Sequence, residues 1–270
     1  MTARTPGYSR LLAGLATLAL FLFVLSLAIG YAPLGLAGAL RDAVTDGQSV
    51  DALVLVQLRL PRALLGLLVG FSLGLAGAVM QGFLRNPLAE PGIIGVSGAA
   101  ALGAVLVFYS GLAVTSSILL PAGGIAAALA VGTLLFAVAG RGLSTTTLIL
   151  AGVAINSLAG ALIALALNLS PNPYAATEIM FWLMGSLADR TLAHVGLVLV
   201  PMAAGWALML STGGVLDALT LGEDTARTLG FGMRRTRAVV VAGVALAVGM
   251  RMALAEVIGF VWLVVAQMVG

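Results

Sequence analysis

Charged residues are scarce in this chain of 270 residues: 13 cationic and 10 acidic side chains make up 9 % of it, and cysteine and lysine are absent. A soluble domain, in which about a quarter of the residues are charged, cannot be covered by so few. This excludes a soluble enzyme, and a net charge of +3 is too small for nucleic-acid binding. The absence of cysteine excludes disulfides and thiolate metal sites. With His194 as the single histidine, we predict no cofactor, metal site or catalytic residue.

Hydrophobic residues make up 61 % of the chain, or about 165 residues. Because a membrane-spanning helix needs roughly 20 residues, they suffice for about eight spans. The sequence therefore predicts an all-α, polytopic transmembrane helix bundle that forms one domain over residues 1–270. The apolar stretches place the spans near Leu11–Tyr31, Pro61–Leu84, Ile93–Tyr109, Ile118–Ala139, Thr147–Leu167, Val195–Leu210, Ala238–Met250 and Val257–Val269. Several are short, which is typical of tilted, broken or buried spans.

The arginines predict the orientation of the spans. With a cytoplasmic N-terminus, 8 of the 13 arginines fall in cytoplasmic segments, as the positive-inside rule requires. Residues 41–51, which carry three aspartates, are then predicted to form an external loop.

Two cytoplasmic segments hold more polar residues than a simple connection needs. They are the turn Gln81–Gly92, where two prolines prevent a continuous helix, and the longer segment 213–237.

Glycine recurs every fourth residue in the second span, at Gly66, Gly70 and Gly74. Residues four apart lie on one face of a helix, and small residues there let a neighbouring backbone approach closely. We interpret this stripe as tight packing inside one subunit, with a subunit interface as the alternative.

Within the segment 213–237, the pattern after Gly222 predicts a short amphipathic helix. Glu223 and Asp224 form an acidic first turn, which the helix dipole favours, and Gly230 is a suitable C-terminal stop. Taken alone, such a helix is typical of one resting on lipid headgroups.

Five motifs in order resemble the FecCD-type permease family, the membrane subunits of ATP-driven importers for iron-siderophore, haem and cobalamin. They are Arg59-Leu-Pro-Arg62, the run Gln81 to Gly95 with Asn86-Pro-Leu-Ala-Glu-Pro91, Leu150-Ala-Gly152, Phe181-Trp-Leu-Met-Gly185, and Leu221-Gly-Glu223 with Ala226 and Leu229-Gly230. The resemblance runs from the first span to about Phe260.

The resemblance implies a type II ATP-binding-cassette importer of the inner membrane. Such an importer is a homodimer of permeases with ten spans each, two ATPase subunits inside and one periplasmic or lipoprotein binding protein outside. The permease itself would not be an enzyme, and its partners would include membrane lipid but no nucleic acid. The expected substrate is an iron-siderophore-type chelate, with haem or cobalamin as further candidates.

The resemblance also implies roles for particular residues. The segment from Asp217 to Phe231 corresponds to a coupling helix pair that seats in the ATPase, with Leu221, Gly222, Glu223, Ala226, Arg227, Leu229 and Gly230 as its residues. Arg59 and Arg62 correspond to arginines that meet carboxylates of the binding protein, with anchoring of a helix end as the competing role. Asn86, Pro87, Glu90 and Pro91 form the cytoplasmic turn. Phe181 and Trp182 would lie at the external mouth of the pathway.

The C-terminal stretch departs from the family pattern. Trp262 stands where a glycine is expected, Ala266 where a proline is, and Gln267 where a histidine is. Relative to the family, we expect the last two of ten spans to be missing after Gly270. Two alternatives stay open: an ion-coupled secondary transporter and, because of the missing spans, a truncated membrane protein that does not transport.

Overall fold

The computed structural model describes residues 6–30, 33–45, 47–116, 118–139, 145–170, 176–177, 179–180, 183, 187 and 190–255. Its principal helices are α1 (Pro6–Ala28), α2 (Leu36–Thr45), α3 (Val50–Leu84), α4 (Val96–Tyr109), α5 (Leu119–Ala139), α6 (Thr145–Asn168), α7 (Leu192–Leu210), α8 (Gly213–Leu219), α9 (Glu223–Thr228) and α10 (Met233–Ala255). Within these described ranges there is no strand, and the predicted all-α fold is confirmed.

Seven of the eight predicted spans coincide with helices α1, α3, α4, α5, α6, α7 and α10. By length and composition, four stretches of the described chain can cross a membrane: Ser9–Ala28, Val50–Leu84, Thr146–Asn168 and Leu192–Leu210. Helices α4 and α5 are apolar but contain shorter candidate stretches. The eighth predicted span, the aromatic pair Phe181 and Trp182, and the departures at Trp262, Ala266 and Gln267 lie outside the described residues.

The prediction that residues 41–51 form a loop is wrong for most of that segment. Helix α2 occupies the first half of that segment, and α3 begins at Val50. The side chain of Ser49 accepts a hydrogen bond from the Ala52 amide at 3.2 Å, and Asp51 lies in the first turn. A serine N-cap and an acidic first turn both favour the start of a helix, so the polar composition marks a helix end.

The chain divides into two compact units, and the single-domain interpretation stays a prediction. The first unit comprises residues 1–68 and 187–195, and the second comprises residues 69–186 and 196–270, so that α3 and α7 contribute to both. In the first unit, the Thr191 amide donates to Nδ1 of His194 at 3.2 Å. The histidine is therefore a buried polar residue at a helix end, as its position predicts.

In the second unit, α4 packs against α5 and α6, and α10 packs against α4 and α5. Small residues stand at these contacts: Gly132 of α5 faces Ala245 of α10, and Gly249 of α10 faces Ala128 of α5. Since lipid is as apolar as the core, close backbone approach of this kind is a main source of helix association in membranes. The indole of Trp206 donates to Oγ of Ser72 at 2.9 Å, which satisfies a fully buried hydroxyl.

Helix α4 is short because the chain enters it through a 3₁₀-helical turn that packs against α6. The turn Pro91–Ile94 contacts α6, and Gly152 of α6 lies directly against the backbone of Ile93 and Ile94. Asn156 Nδ2 donates to the Gly92 carbonyl at 2.7 Å, and its Oδ1 accepts from the Gly98 amide at 3.1 Å. Irregular backbone in a membrane protein is tolerated where protein groups satisfy it, and Asn156 supplies partners to both Gly92 and Gly98.

The interpretation of the Gly66 stripe as tight packing inside the subunit is wrong for two of its members. Among the described atoms, a Cβ added at Gly70 meets nothing within 4 Å, and one at Gly66 meets only the Leu187 side chain at 3.8 Å. The regular spacing predicts that these glycines share a face, but spacing alone does not show what covers it.

Candidate functional site

The first component of the site is the turn between α3 and α4. Arg85 has a φ of 50°, and the Asn86 amide donates to the Gln81 carbonyl at 3.1 Å, which ends α3 in a Schellman motif. Oδ1 of Asn86 accepts from the Leu88 amide at 2.9 Å. Of the residues predicted for this turn, Asn86 and Pro87 are exposed, Glu90 is half-buried at the start of the next turn, and Pro91 is buried.

The second component is the α8–α9 segment, residues 213–230. Gly222 has a φ of 107° at the start of α9, and Gly230 has a φ of 90° after its end. The Phe231 amide donates to the Ala226 carbonyl at 3.1 Å, and the Gly230 amide donates to the Arg227 carbonyl at 3.0 Å. These two bonds complete a Schellman motif, so the predicted short helix and its glycine stop are confirmed.

Glu223 joins α9 to α10. Its Oε1 accepts from Nη2 of Arg227, one turn further along α9, and from Nη2 of Arg237 on α10, both at 2.7 Å. The Arg237 side chain is only 7 % exposed, against 30 % for Glu223 and 57 % for Arg227. The carboxylate therefore bridges a buried cation and an exposed one.

The two components meet at an open pocket of about 490 Å³ in the second unit. Its lining includes the end of α3, the first turns of α6, and Glu223 with both of its arginine partners. Segments that the sequence predicts to be cytoplasmic thus contribute residues to one pocket.

The predicted coupling residues divide by exposure. Ala226 is fully buried and holds α9 to the bundle, whereas Leu221 and Leu229 are 69 % and 60 % exposed on either side of it. Leu88 of the neighbouring turn is also exposed. A fixed helix flanked by protruding leucines can fill apolar recesses in a protein partner, because burying an exposed apolar side chain is favourable.

Arg59 and Arg62, which belong to the first unit, have different surroundings. Arg59 lies in the π-helical stretch Val54–Arg59 and is 8 % exposed. Its Nη1 donates to the carbonyls of Leu27 and Ala28, the last residues of α1, at 2.8 and 2.7 Å. Arg62 is exposed. The structure thus places Arg59 as a cap for the C-terminus of α1 and leaves Arg62 accessible.

Sequence reasoning missed two residues of the second unit, Arg237 and Asn156. Asn156 had a visible signal, since a polar side chain inside an apolar span needs a partner. Arg237 had no visible signal in the sequence, because its partner Glu223 lies 14 residues away across a turn. Only the folded arrangement of α9 and α10 brings the two together.

The fold and this site define a polytopic α-helical membrane protein that presents a rigid pair of short helices between two of its spans. The chain belongs to the FecCD transport family, whose profile matches residues 18–270. It is 40 % identical over 224 residues to the vitamin B12 import system permease protein of Vibrio cholerae, covering 82 % of this chain and 66 % of that protein.

Other relatives match a larger share of the chain. The ferric enterobactin transport system permease protein of Escherichia coli is 36 % identical and covers 94 % of this chain and 76 % of its own length. The molybdate import system permease protein of Haemophilus influenzae is 33 % identical, with coverages of 97 % and 79 %. The chain spans just under two thirds of the vitamin B12 permeases, with 66 % and 62 % for those of Vibrio cholerae and Yersinia enterocolitica.

A solved structure described as an inward-facing conformation of an ABC transporter has the same fold. It superposes with a TM-score of 0.82 and is 33 % identical, and the match covers 95 % of this chain and 79 % of that chain.

Proposed function

We propose that this chain is the permease subunit of an ATP-binding-cassette importer of the inner membrane and carries an iron-siderophore-type chelate, with haem or cobalamin as alternative cargo. The permease contributes the pathway, and a partner subunit hydrolyses ATP. The observation that carries this proposal is the α8–α9 segment, which is fixed by ion pairs and glycine stops yet exposes large apolar side chains. The named relatives import vitamin B12, ferric enterobactin and molybdate, so the cargo of each is either a chelate or an oxyanion.

In this proposal, the exposed part of the α8–α9 segment seats in the ATPase, and the turn with Asn86, Pro87, Glu90 and Pro91 supports it. Arg62 contacts an acidic patch on the binding protein, since an exposed cation favours docking of a mobile carrier. Arg59 acts indirectly by holding the adjacent helix ends together. Two copies of the permease form the pathway at their interface.

Replacing the protruding leucines tests the ATPase contact. We expect Leu221→Asp and Leu229→Asp each to weaken association with the ATPase subunit about ten-fold or more, because a buried leucine contributes roughly 1.5–3 kcal/mol and each 1.4 kcal/mol is ten-fold in affinity. The measurement is co-purification in detergent with candidate ATP-binding-cassette subunits from the source genome.

The matched controls are Leu221→Met and Leu229→Met, which keep an apolar side chain and should retain association. Equal association of the aspartate and methionine variants would contradict the ATPase contact. For the cargo, purified permease, ATPase and binding protein in proteoliposomes should accumulate radiolabelled ferric siderophore only when ATP is enclosed. If cobalamin or haem accumulates and the ferric siderophore does not, the proposed substrate is wrong. If an ion gradient drives uptake without ATP, the proposal of an ATP-driven importer is wrong.

A further inference from the structure

The geometry points to Glu223 as a positioning residue that fixes α9 to α10 through Arg237 and so passes the movement of one helix to the other. The inference rests on the proposed function, because coupling has meaning only in an ATP-driven importer. The predicted coupling residues include Glu223 as a member of the surface that the ATPase binds. Its carboxylate instead points to an arginine of the permease itself.

Helix α9 needs such an attachment. It has six residues, Glu223–Thr228, and isolated helices of that length are not stable in water. Glycines with positive φ stand at both ends, at Gly222 and Gly230, so the chain changes direction on either side of it. Among the described contacts, the buried methyl of Ala226 and the Glu223 carboxylate attach it to the bundle.

The two arginine partners of Glu223 are not equivalent. Arg237 is buried, and its pair with Glu223 is largely shielded from solvent, so losing the carboxylate removes a charged partner from a buried cation. Arg227 is exposed and four residues away on the same helix, where ion pairs contribute little. The Arg237 pair therefore fixes the orientation of α9, and Arg227 only supports the rotamer of the carboxylate.

Helix α10 can carry a displacement further. It packs against α4 and α5, with Gly249 close to Ala128 and Gly132 close to Ala245. A closely packed interface of this kind transmits strain, because protein interiors have low compressibility. A displacement of α9 that is transmitted to Arg237 is therefore also transmitted to the helices of the second unit.

The test uses Glu223→Gln and Arg237→Gln, with Asp224→Asn as the matched control. Asp224 is the next residue and carries the same charge, but its side chain is fully exposed and 3.9 Å from Arg227. In the permease alone, we expect both glutamine variants to exchange the α9 amide hydrogens at least ten-fold faster than wild type, and Asp224→Asn to match wild type. Glu223→Gln with wild-type protection would overturn the attachment.

In the reconstituted importer, Glu223→Gln and Arg237→Gln should lower the amount of substrate imported per ATP hydrolysed about ten-fold and leave ATPase affinity within about three-fold of wild type. The double variant should be no worse than either single variant, because both remove one interaction. The charge exchange Glu223→Arg with Arg237→Glu should recover part of the lost coupling. Normal coupling in Glu223→Gln, or additive losses in the double variant, would overturn the positioning role.

The two readouts separate this inference from the proposed function. If the wild-type permease binds no ATP-binding-cassette subunit, the importer proposal fails, while the exchange measurement still decides whether Glu223 holds α9. If the wild-type importer works and Glu223→Gln is fully coupled, the proposed function stands and the positioning role is wrong.

Discussion

Gly152→Val should prevent recovery of folded protein, whereas Gly160→Val on the same helix should be tolerated. A Cβ added at Gly152 lies against the Ile93 carbonyl and within 2.7–2.8 Å of the backbone of Ile94. Backbone atoms cannot rotate away as a side chain can, so the turn and α6 must separate. Overpacking typically costs ~1–3 kcal/mol and occasionally more, and the upper end applies where the neighbour is backbone.

The separation would also break the hydrogen bonds that Asn156 makes to Gly92 and Gly98, since they depend on the same approach. At Gly160, by contrast, an added Cβ meets no described atom within 4 Å. Both substitutions introduce the same β-branched residue into α6, so helix propensity cancels in the comparison. The difference in stability between the two variants therefore reports the contact of Gly152 with the turn Pro91–Ile94.

Yield in gel filtration and thermal unfolding in detergent are the measurements. Gly152→Ala should unfold roughly 6–12 °C below wild type, which corresponds to about 3 kcal/mol for a chain of this size, and Gly152→Val should give little folded protein. Gly152→Val and Gly160→Val with melting temperatures within about 2 °C of each other would show that α6 and the turn are not held by this contact.

The helices themselves could be predicted from the sequence, because apolar runs in a chain with so few charges have one stable arrangement in a bilayer. The short helix at Glu223 and its stop at Gly230 could also be predicted, since an acidic first turn and a terminal glycine are local signals. Helix α2 was missed because the three aspartates of residues 41–51 suggested a loop. In fact Ser49 and Asp51 mark the beginning of the next helix.

Contacts between distant segments could not be predicted. The spacing of Gly66 and Gly70 predicts that they share a helix face, but close backbone approach occurs at other glycines, such as Gly152. For the candidate site, the sequence identified Glu223 but not the cation that holds it, because Arg237 is one of several arginines near the start of α10. The choice among them is made by tertiary packing, which leaves Arg237 buried and Arg234 and Arg235 exposed.

The two arginines of the Arg59-Leu-Pro-Arg62 motif should respond differently to substitution. Arg59→Met should lower the free energy of unfolding by about 2–3 kcal/mol, because it removes charged hydrogen bonds to two carbonyls at the end of α1. Gly30 lies so close to the guanidinium that an added Cβ there would be 2.8 Å from Cζ of Arg59. Arg62→Met removes an exposed side chain and should leave thermal unfolding unchanged.

The second measurement is the affinity of each variant for the binding protein. It distinguishes a role in capping α1 from a role in docking the binding protein. If Arg62 meets a carboxylate of the binding protein, Arg62→Met should slow association and reduce its dependence on salt, as loss of a rim charge does. Arg59→Met at a temperature where it remains folded should bind normally unless the end of α1 moves. An equal loss of binding protein affinity in both variants, without loss of stability in Arg59→Met, would assign docking to the whole motif and contradict the capping role of Arg59.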